Sequence, residues 1–409
     1  MPLRYIPAKT SNILNNILSN KSAIFKIIGW ASYLACSWTW CIGMFLPVIL
    51  IRDYGTLSFL IFLIPNIFGA SIFAFVLSKP EMSLLIIDRH KTACIVFSLV
   101  TILFHIFFIG WISTIIPKLF VLVVIFLFLL LFLFLRGFDA NQTFTAFIVW
   151  ILSLICFILI LSISPLSIKE INTNLIDNTT SLLYLIPVSI FGFSLCPYLD
   201  LTFHNARQLN TTLNSKIIFI LGFCFMFFLM MLFTFIYAKP ISSIFNGITC
   251  NHIPLPLAYI YAVTFHMLIQ SAFTITVHAK YIFPRINKYK KANLFLLIFS
   301  LLIYLLPVMF NGNPLFFNIT TNEIIYRSFI VFYGLIFPSY VFMFMIPKKR
   351  KDIPLNKYNL FIWITAILIA LPFYAIGFLI VKCHLEICML LGLAVVLFSR
   401  NLLRTKIPL

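Results

Sequence analysis

Twelve apolar runs, most of them near the length of a membrane-spanning helix, leave this chain few folds to choose from. They lie at roughly Ile24–Ile51, Tyr54–Leu77, Ala93–Ile116, Leu119–Leu135, Phe144–Ile163, Leu182–Phe203, Ile217–Ala238, Leu257–Phe283, Leu294–Phe310, Ile325–Ile346, Leu360–Val381 and Leu385–Ser399. A helix needs about 20 apolar residues to cross the hydrocarbon of a bilayer. Only helices and closed barrels satisfy their own backbone hydrogen bonds there. The expected fold class is therefore an all-α integral membrane protein with about twelve transmembrane helices. Composition agrees, since 62% of the 409 residues are hydrophobic and 10% charged. A soluble domain is about a quarter charged, and so few charges could not cover a water-facing surface. The nine cysteines have no CxxC or metal-ligand spacing, and most sit in apolar runs as small hydrophobes. Cys250 and Cys383 fall on the same outer side in this arrangement, where they could pair.

The net charge of +19 would suggest a nucleic-acid partner only if its placement were ignored. With twelve spans and the N-terminus inside, Arg52, Lys118, Lys169, Lys239, Arg327 and Lys382 fall one to each outer segment. The other 23 of the 29 basic residues fall inside. This asymmetry is the positive-inside signal, and it predicts cytoplasmic N- and C-termini. The bilayer is then the partner of the basic surplus, and no nucleic acid is implied. The abundance of Ile, Phe, Asn and Lys suggests an AT-rich genome and a bacterial inner membrane. No loop is long enough for a folded domain; Ser164–Ser181 and Lys239–Pro256 are about eighteen residues each. Function must therefore lie within the bundle or at its mouths.

Two spans carry helix-breaking residues at similar depth. The first reads CIGMFLP over Cys41–Pro47, and the sixth reads SIFGFSLCPYLD over Ser189–Asp200. Proline removes a donor and clashes with the preceding turn, while glycine gives up helical stiffness. Backbone freed in this way at membrane depth must be buried in protein or line a wet cavity. A kink packed between helices is the simpler reading of either span alone. Gly43 and Gly192 are about 150 residues apart, and that offset carries the first five runs onto the next five. Five is odd, so the two units enter the membrane from opposite sides, as in an inverted repeat. Interrupted segments at matching positions of two such units are a pointer to a transporter site. The expected division is a cytoplasmic segment 1–23, a first repeat 24–163, an inverted second repeat 164–346, and two further helices with the C-terminus at 347–409.

The Gly-then-LP sequence of Cys41–Pro47 resembles the broken first helix of amino-acid permeases. The five-plus-five count with two extra helices is similar to the LeuT-like fold of the amino acid–polyamine–organocation superfamily and the sodium:solute symporters. The resemblance covers residues 24–346. Where those families carry small residues ahead of the glycine, this chain has the bulkier Cys36–Trp40. The resemblance implies two facing hinges, Thr39–Gly43 with Pro47 beyond, and Gly192–Pro197 with Ser194 and Cys196 inside it. Their half-helix amides would meet a polar solute, with Trp38, Trp40 and Tyr198 lining or gating the cavity. Packing or an interfacial belt is the alternative for the aromatics. It also implies a sodium site between first-helix carbonyls and the eighth span, where Ser271 and Thr274 share a face. Hydroxyl bonding within their own helix is the alternative there.

Ionisable residues within spans are few: His105, Asp200, His266 and Glu386, with His278 near an end. Such groups are costly in hydrocarbon and by default mark function. Asp200 is expected to couple protons or hold a cation; pairing with Arg207 or capping a helix is the plainer alternative. His266 is a weaker relay candidate. No catalytic motif appears, so an enzyme is not expected. The chain is read as an ion-coupled secondary transporter of a small polar solute, such as an amino acid, without a cofactor beyond sodium or a proton. The competing readings are a membrane-embedded transferase acting on a lipid-linked substrate and a transporter-like sensor. Oligomeric state is open.

Overall fold

The computed structural model describes residues 8–114, 141–163, 179–245, 256–286, 290–310, 319–348, 351–380 and 385–405. The helices, in chain order, are α1 (Ala8–Trp38), α2 (Cys41–Tyr54), α3 (Ser58–Val76), α4 (Pro80–Ser113), α5 (Gln142–Ile163), α6 (Thr179–Leu195) and α7 (Leu201–Gln208). Next come α8 (Thr212–Ile220), α9 (Phe228–Phe245), α10 (Leu257–Ile286), α11 (Lys290–Met309), α12 (Thr321–Val331) and α13 (Phe337–Tyr340). The last two are α14 (Lys357–Leu379) and α15 (Ile387–Ser399). A π-helical turn, Leu221–Phe227, joins α8 to α9, and two more flank α13. No named strand occurs among the described residues. The chain is an all-α membrane protein: among the described residues eight helical stretches are long and apolar enough to cross, and α1 with α2 makes a ninth if the bent pair is one span.

Burial follows the sequence pattern. Within its most apolar window α10 is 83% buried, while α14 is only 28% buried. α10 carries Thr264, His266, Gln270, Ser271, Thr274 and His278, all buried. A helix with that many polar groups must face other helices, whereas α14 can turn its apolar side chains to lipid. α10 packs on α4, α5 and α1, and α2 packs on α9 and α4. α6 lies along α3, with α15 on its other flank. Close contact there needs Gly69, because a Cβ at that position would run into the Phe193 carbonyl. The tight turn after α2 needs Gly55, at φ 80°.

Several expectations change. The segment expected to be cytoplasmic, 1–23, is helical from Ala8 onward and continuous with the first span. The fourth apolar run, the outer loop at 164–178, Cys250 and Cys383 lie outside the described residues. Arg52 and Arg327, counted above as outer-segment charges, sit inside α2 and α12 and are paired.

Candidate functional site

Both interruptions exist, but each is displaced from the expected glycines. The first span breaks at Thr39–Trp40, between α1 and α2, with a bend of 54°. Gly43 and Pro47 lie within the continuous helix α2. Three side chains hold its first turn in place. The Cys41 amide donates to His105 Nε2 at 3.1 Å, the Tyr326 hydroxyl donates to the Cys41 carbonyl at 2.9 Å, and Tyr237 donates to the Met44 carbonyl at 2.7 Å. Gly43 serves close packing instead, since a Cβ there would meet the Met231 methyl at 3.0 Å.

The sixth span stays α-helical through Gly192 and Ser194 to Leu195. It then tightens into a 3₁₀ turn, Cys196–Leu199, and opens at Asp200 before α7. The expected unwound hinge over Gly192–Pro197 is thus corrected to Cys196–Asp200. Pro197 sits in the first positions of the tight turn, where a missing N–H costs nothing. Gly192 lets α6 approach the chain near Tyr333, whose carbonyl would lie 2.9 Å from an added Cβ.

The breaks face one another. The Trp38 and Phe203 rings are 4.8 Å apart, and the Thr202 hydroxyl donates to Ser37 Oγ at 3.2 Å. Trp38, Trp40, Gly43 and Cys196, with Ile42, Asn66, Phe193 and Tyr333, line a small cavity of about 10 Å³ between them, about the space of one water. Trp38 donates to Asn66 Oδ1 at 2.5 Å, and Cys196 donates to the Tyr333 carbonyl at 3.2 Å. Ile42, Phe193 and Tyr333 also line a larger cavity of about 80 Å³. It runs toward the Tyr54 end of α2 between α6, α12, α14 and α15, and almost all its lining is apolar. Tyr198 is not part of either lining; its ring packs on Phe73 at 5.3 Å.

Asp200 is fully buried. Its Oδ1 accepts from the Thr202 amide and hydroxyl, both at 2.7 Å, so it caps α7 as the plainer reading holds. It does not pair with Arg207, whose guanidinium donates to the carbonyls of Leu77, Ser78 and Asn210. His278 Nε2 lies 4.0 Å from Asp200 Oδ1 instead. His278 is a site residue that the sequence placed only near a span end, with no role assigned. It falls near the end of an apolar run, but α10 extends to Ile286 and carries it into the bundle. His266 hydrogen-bonds Ser153 Oγ at 2.9 Å and packs on Phe233, away from the breaks.

The expected sodium ligands are otherwise engaged. Ser271 donates to Met267 O of its own helix at 2.7 Å. Thr274 does reach the first break, donating to Cys36 O at 3.4 Å. The Leu34, Ala35 and Ser37 carbonyls accept from Ser37 Oγ, from Thr39 and from Trp40 Nε1 respectively. A small cation needs several free oxygens, and this donor set does not fit one as arranged.

At the Tyr54 end lies a four-charge cluster, buried at Asp53, Glu323 and Arg327 and half-buried at Arg52. Arg52 grips Glu323 through both oxygens, at 2.8 and 2.7 Å, and reaches Asp53 at 2.7 Å. Arg327 donates to Glu323 at 2.8 Å, to Asp53 at 2.5 Å and to the Phe378 carbonyl at 2.6 Å. The cluster ties α2 to α12 and to the end of α14. Compared with models of protein families, curated proteins and solved structures, the chain matches none.

Proposed function

We propose that the protein is an ion-coupled secondary transporter of a small solute, working by alternating access. On this reading it has twelve spans in an inverted five-plus-five arrangement similar to the LeuT-like fold, both termini are cytoplasmic, and the Tyr54 end of α2 faces outward. The observation that carries it is the meeting of two interrupted helices around a shared cavity, at Thr39–Trp40 and at Cys196–Asp200. A bundle built only for support has no reason to break two central helices side by side and spend side chains on satisfying them. The cavity between the breaks has room for about one water, and the larger one is apolar. This suits a compact state that must open to admit a solute with an apolar body and a few polar groups. On this reading the coupling ion is a proton, with Asp200 as the titratable group beside the second break.

The test is uptake into proteoliposomes, with a radiolabelled pool of the common amino acids as the probe, under imposed sodium or proton gradients. Gradient-dependent uptake is expected. It should be lost in Ile42→Trp, which fills the join between the two cavities while keeping an apolar surface. Uptake unchanged in that variant would overturn this location for the solute path.

A further inference from the structure

We infer that Asp200 and His278 form a single proton-binding site that couples the break in the sixth span to α10; this rests on the transporter reading and names its coupling ion. Both side chains are fully buried, and each has one atom without a partner, Asp200 Oδ2 and His278 Nε2. An unpartnered buried polar atom carries a desolvation cost that a stable core avoids. The two side chains come nearest at His278 Nε2 and Asp200 Oδ1, 4.0 Å apart, so a proton gained by the carboxylate is felt by the imidazole beside it. His278 Nδ1 is hydrogen-bonded to Ser98 Oγ on α4 at 3.1 Å, so Nε2 carries the free lone pair when Nδ1 holds the hydrogen.

Without the extra proton the pair carries one negative charge. A proton taken onto Asp200 Oδ2 makes the pair neutral overall. A net charge inside a membrane bundle is costly, so the loaded pair is the form that can move with the bundle. Asp200 caps α7, and His278 belongs to α10. Loading draws these elements together, and release lets α7 swing.

The surrounding groups fit this role. Tyr33, Cys196, Tyr281 and Tyr333 lie near enough to sense the Asp200 charge, with Asn205 beside Tyr33 and Tyr281. Tyr33 and Tyr281 bond through their hydroxyls at 3.2 Å. On the α4 side His105 faces His278, but its own nitrogens are engaged by Thr101 O and the Cys41 amide. None of these is a fixed cation that would hold Asp200 permanently charged. Neither cavity at the breaks is lined by Asp200 or His278, and a proton needs no cavity.

The test is infrared difference spectroscopy of the intact protein in proteoliposomes, titrated across about pH 5 to 8, where a histidine-linked site changes charge. A carboxylic-acid carbonyl band should appear on acidification. It should vanish in Asp200→Asn, which keeps the helix cap, and its midpoint should move by at least about one pH unit, a tenfold change in proton affinity, in His278→Gln. A wild-type protein with no titrating carboxyl band overturns the site without any variant having to fold. A band that survives Asp200→Asn, or a midpoint indifferent to His278→Gln, overturns it as well. The measurement needs no solute, so its failure leaves the transporter reading standing. Failed uptake with an intact titration does the reverse.

Discussion

Glu323→Gln should unfasten the end of the bundle where α2 meets α12. Glu323 accepts three charge-assisted hydrogen bonds, two from Arg52 and one from Arg327, and it is buried. Two unit charges about 4 Å apart attract by about 4 kcal/mol at an effective dielectric near 20. Removing one partner of a buried pair costs about 3–5 kcal/mol, because the other charge is stranded. In the variant, Asp53 is the one carboxylate of the four-residue cluster left to Arg52 and Arg327, and the cluster holds a net positive charge that is largely buried. Opening to water relieves that charge. If the cluster forms only when this end is closed, the open population should rise by about a hundredfold or more, since about 1.4 kcal/mol is tenfold. The assay is labelling of Leu50→Cys by a membrane-impermeant maleimide in a background cleared of native cysteines. Leu50 lines the larger cavity and is otherwise buried. Labelling should accelerate at least about tenfold, a lower bound that allows for incomplete coupling. Arg52→Gln combined with Glu323→Gln leaves the Asp53–Arg327 pair intact and restores neutrality, so it should label more slowly than Glu323→Gln alone. An unchanged labelling rate, or a double variant that labels faster than the single, would refute the reasoning.

Other outcomes follow from the same geometry. Cysteines at Lys290 and Lys349 should be labelled from the cytoplasmic side and one at Lys239 from outside; the reverse pattern defeats the proposed topology. Ser271→Ala should leave ion dependence unchanged, because its hydroxyl serves its own helix, whereas Thr274→Ala frees Cys36 O at the first break and should alter uptake. Equal effects of the two in the same uptake assay would contradict that distinction. Gly69→Ala should cost about 1–3 kcal/mol by forcing α3 from α6, read as a lower melting temperature in detergent; an unchanged value would mean the helices separate freely.

The membrane class was legible because apolar run length and backbone self-satisfaction leave so few alternatives. The neighbourhood of both breaks was also legible, since Gly and Pro mark weak points. Their residues were legible in part: the breaks open at Thr39–Trp40 and from Cys196, inside the expected hinges but away from the glycines. A glycine permits a break and also permits close packing, and sequence does not separate the two. Gly43 and Gly192 turn out to serve packing against Met231 and the Tyr333 backbone. Thr39–Trp40 opens instead, and Trp40 gives no side-chain cap to α2. The charge cluster was hidden for a related reason. Arg52, Asp53, Glu323 and Arg327 sit at span ends, where single charges normally face water, and only the fold brings both ends together.

How the first break is satisfied bears on the choice of ion. A helix end turned toward a permanent sodium site would leave its carbonyls bare for the metal. Here Ser37, Thr39, Trp40 and Thr274 supply hydrogen-bond donors to the Leu34, Ala35, Ser37 and Cys36 carbonyls. All four donors are neutral groups on rotatable side chains, so they can release the carbonyls one at a time as the helices move. Each such exchange costs about the net value of a hydrogen bond, near 1 kcal/mol, small against the reorientation of a whole bundle. Among the buried atoms without a partner, Gln270 Oε1 lies near the first break on a group that takes up no proton, whereas Asp200 Oδ2 and His278 Nε2 lie at the second. A coupling ion acts where a charge or a polar group is left unmatched, since only there does binding change the balance between states. The arrangement therefore favours a proton at the second break over a metal ion at the first.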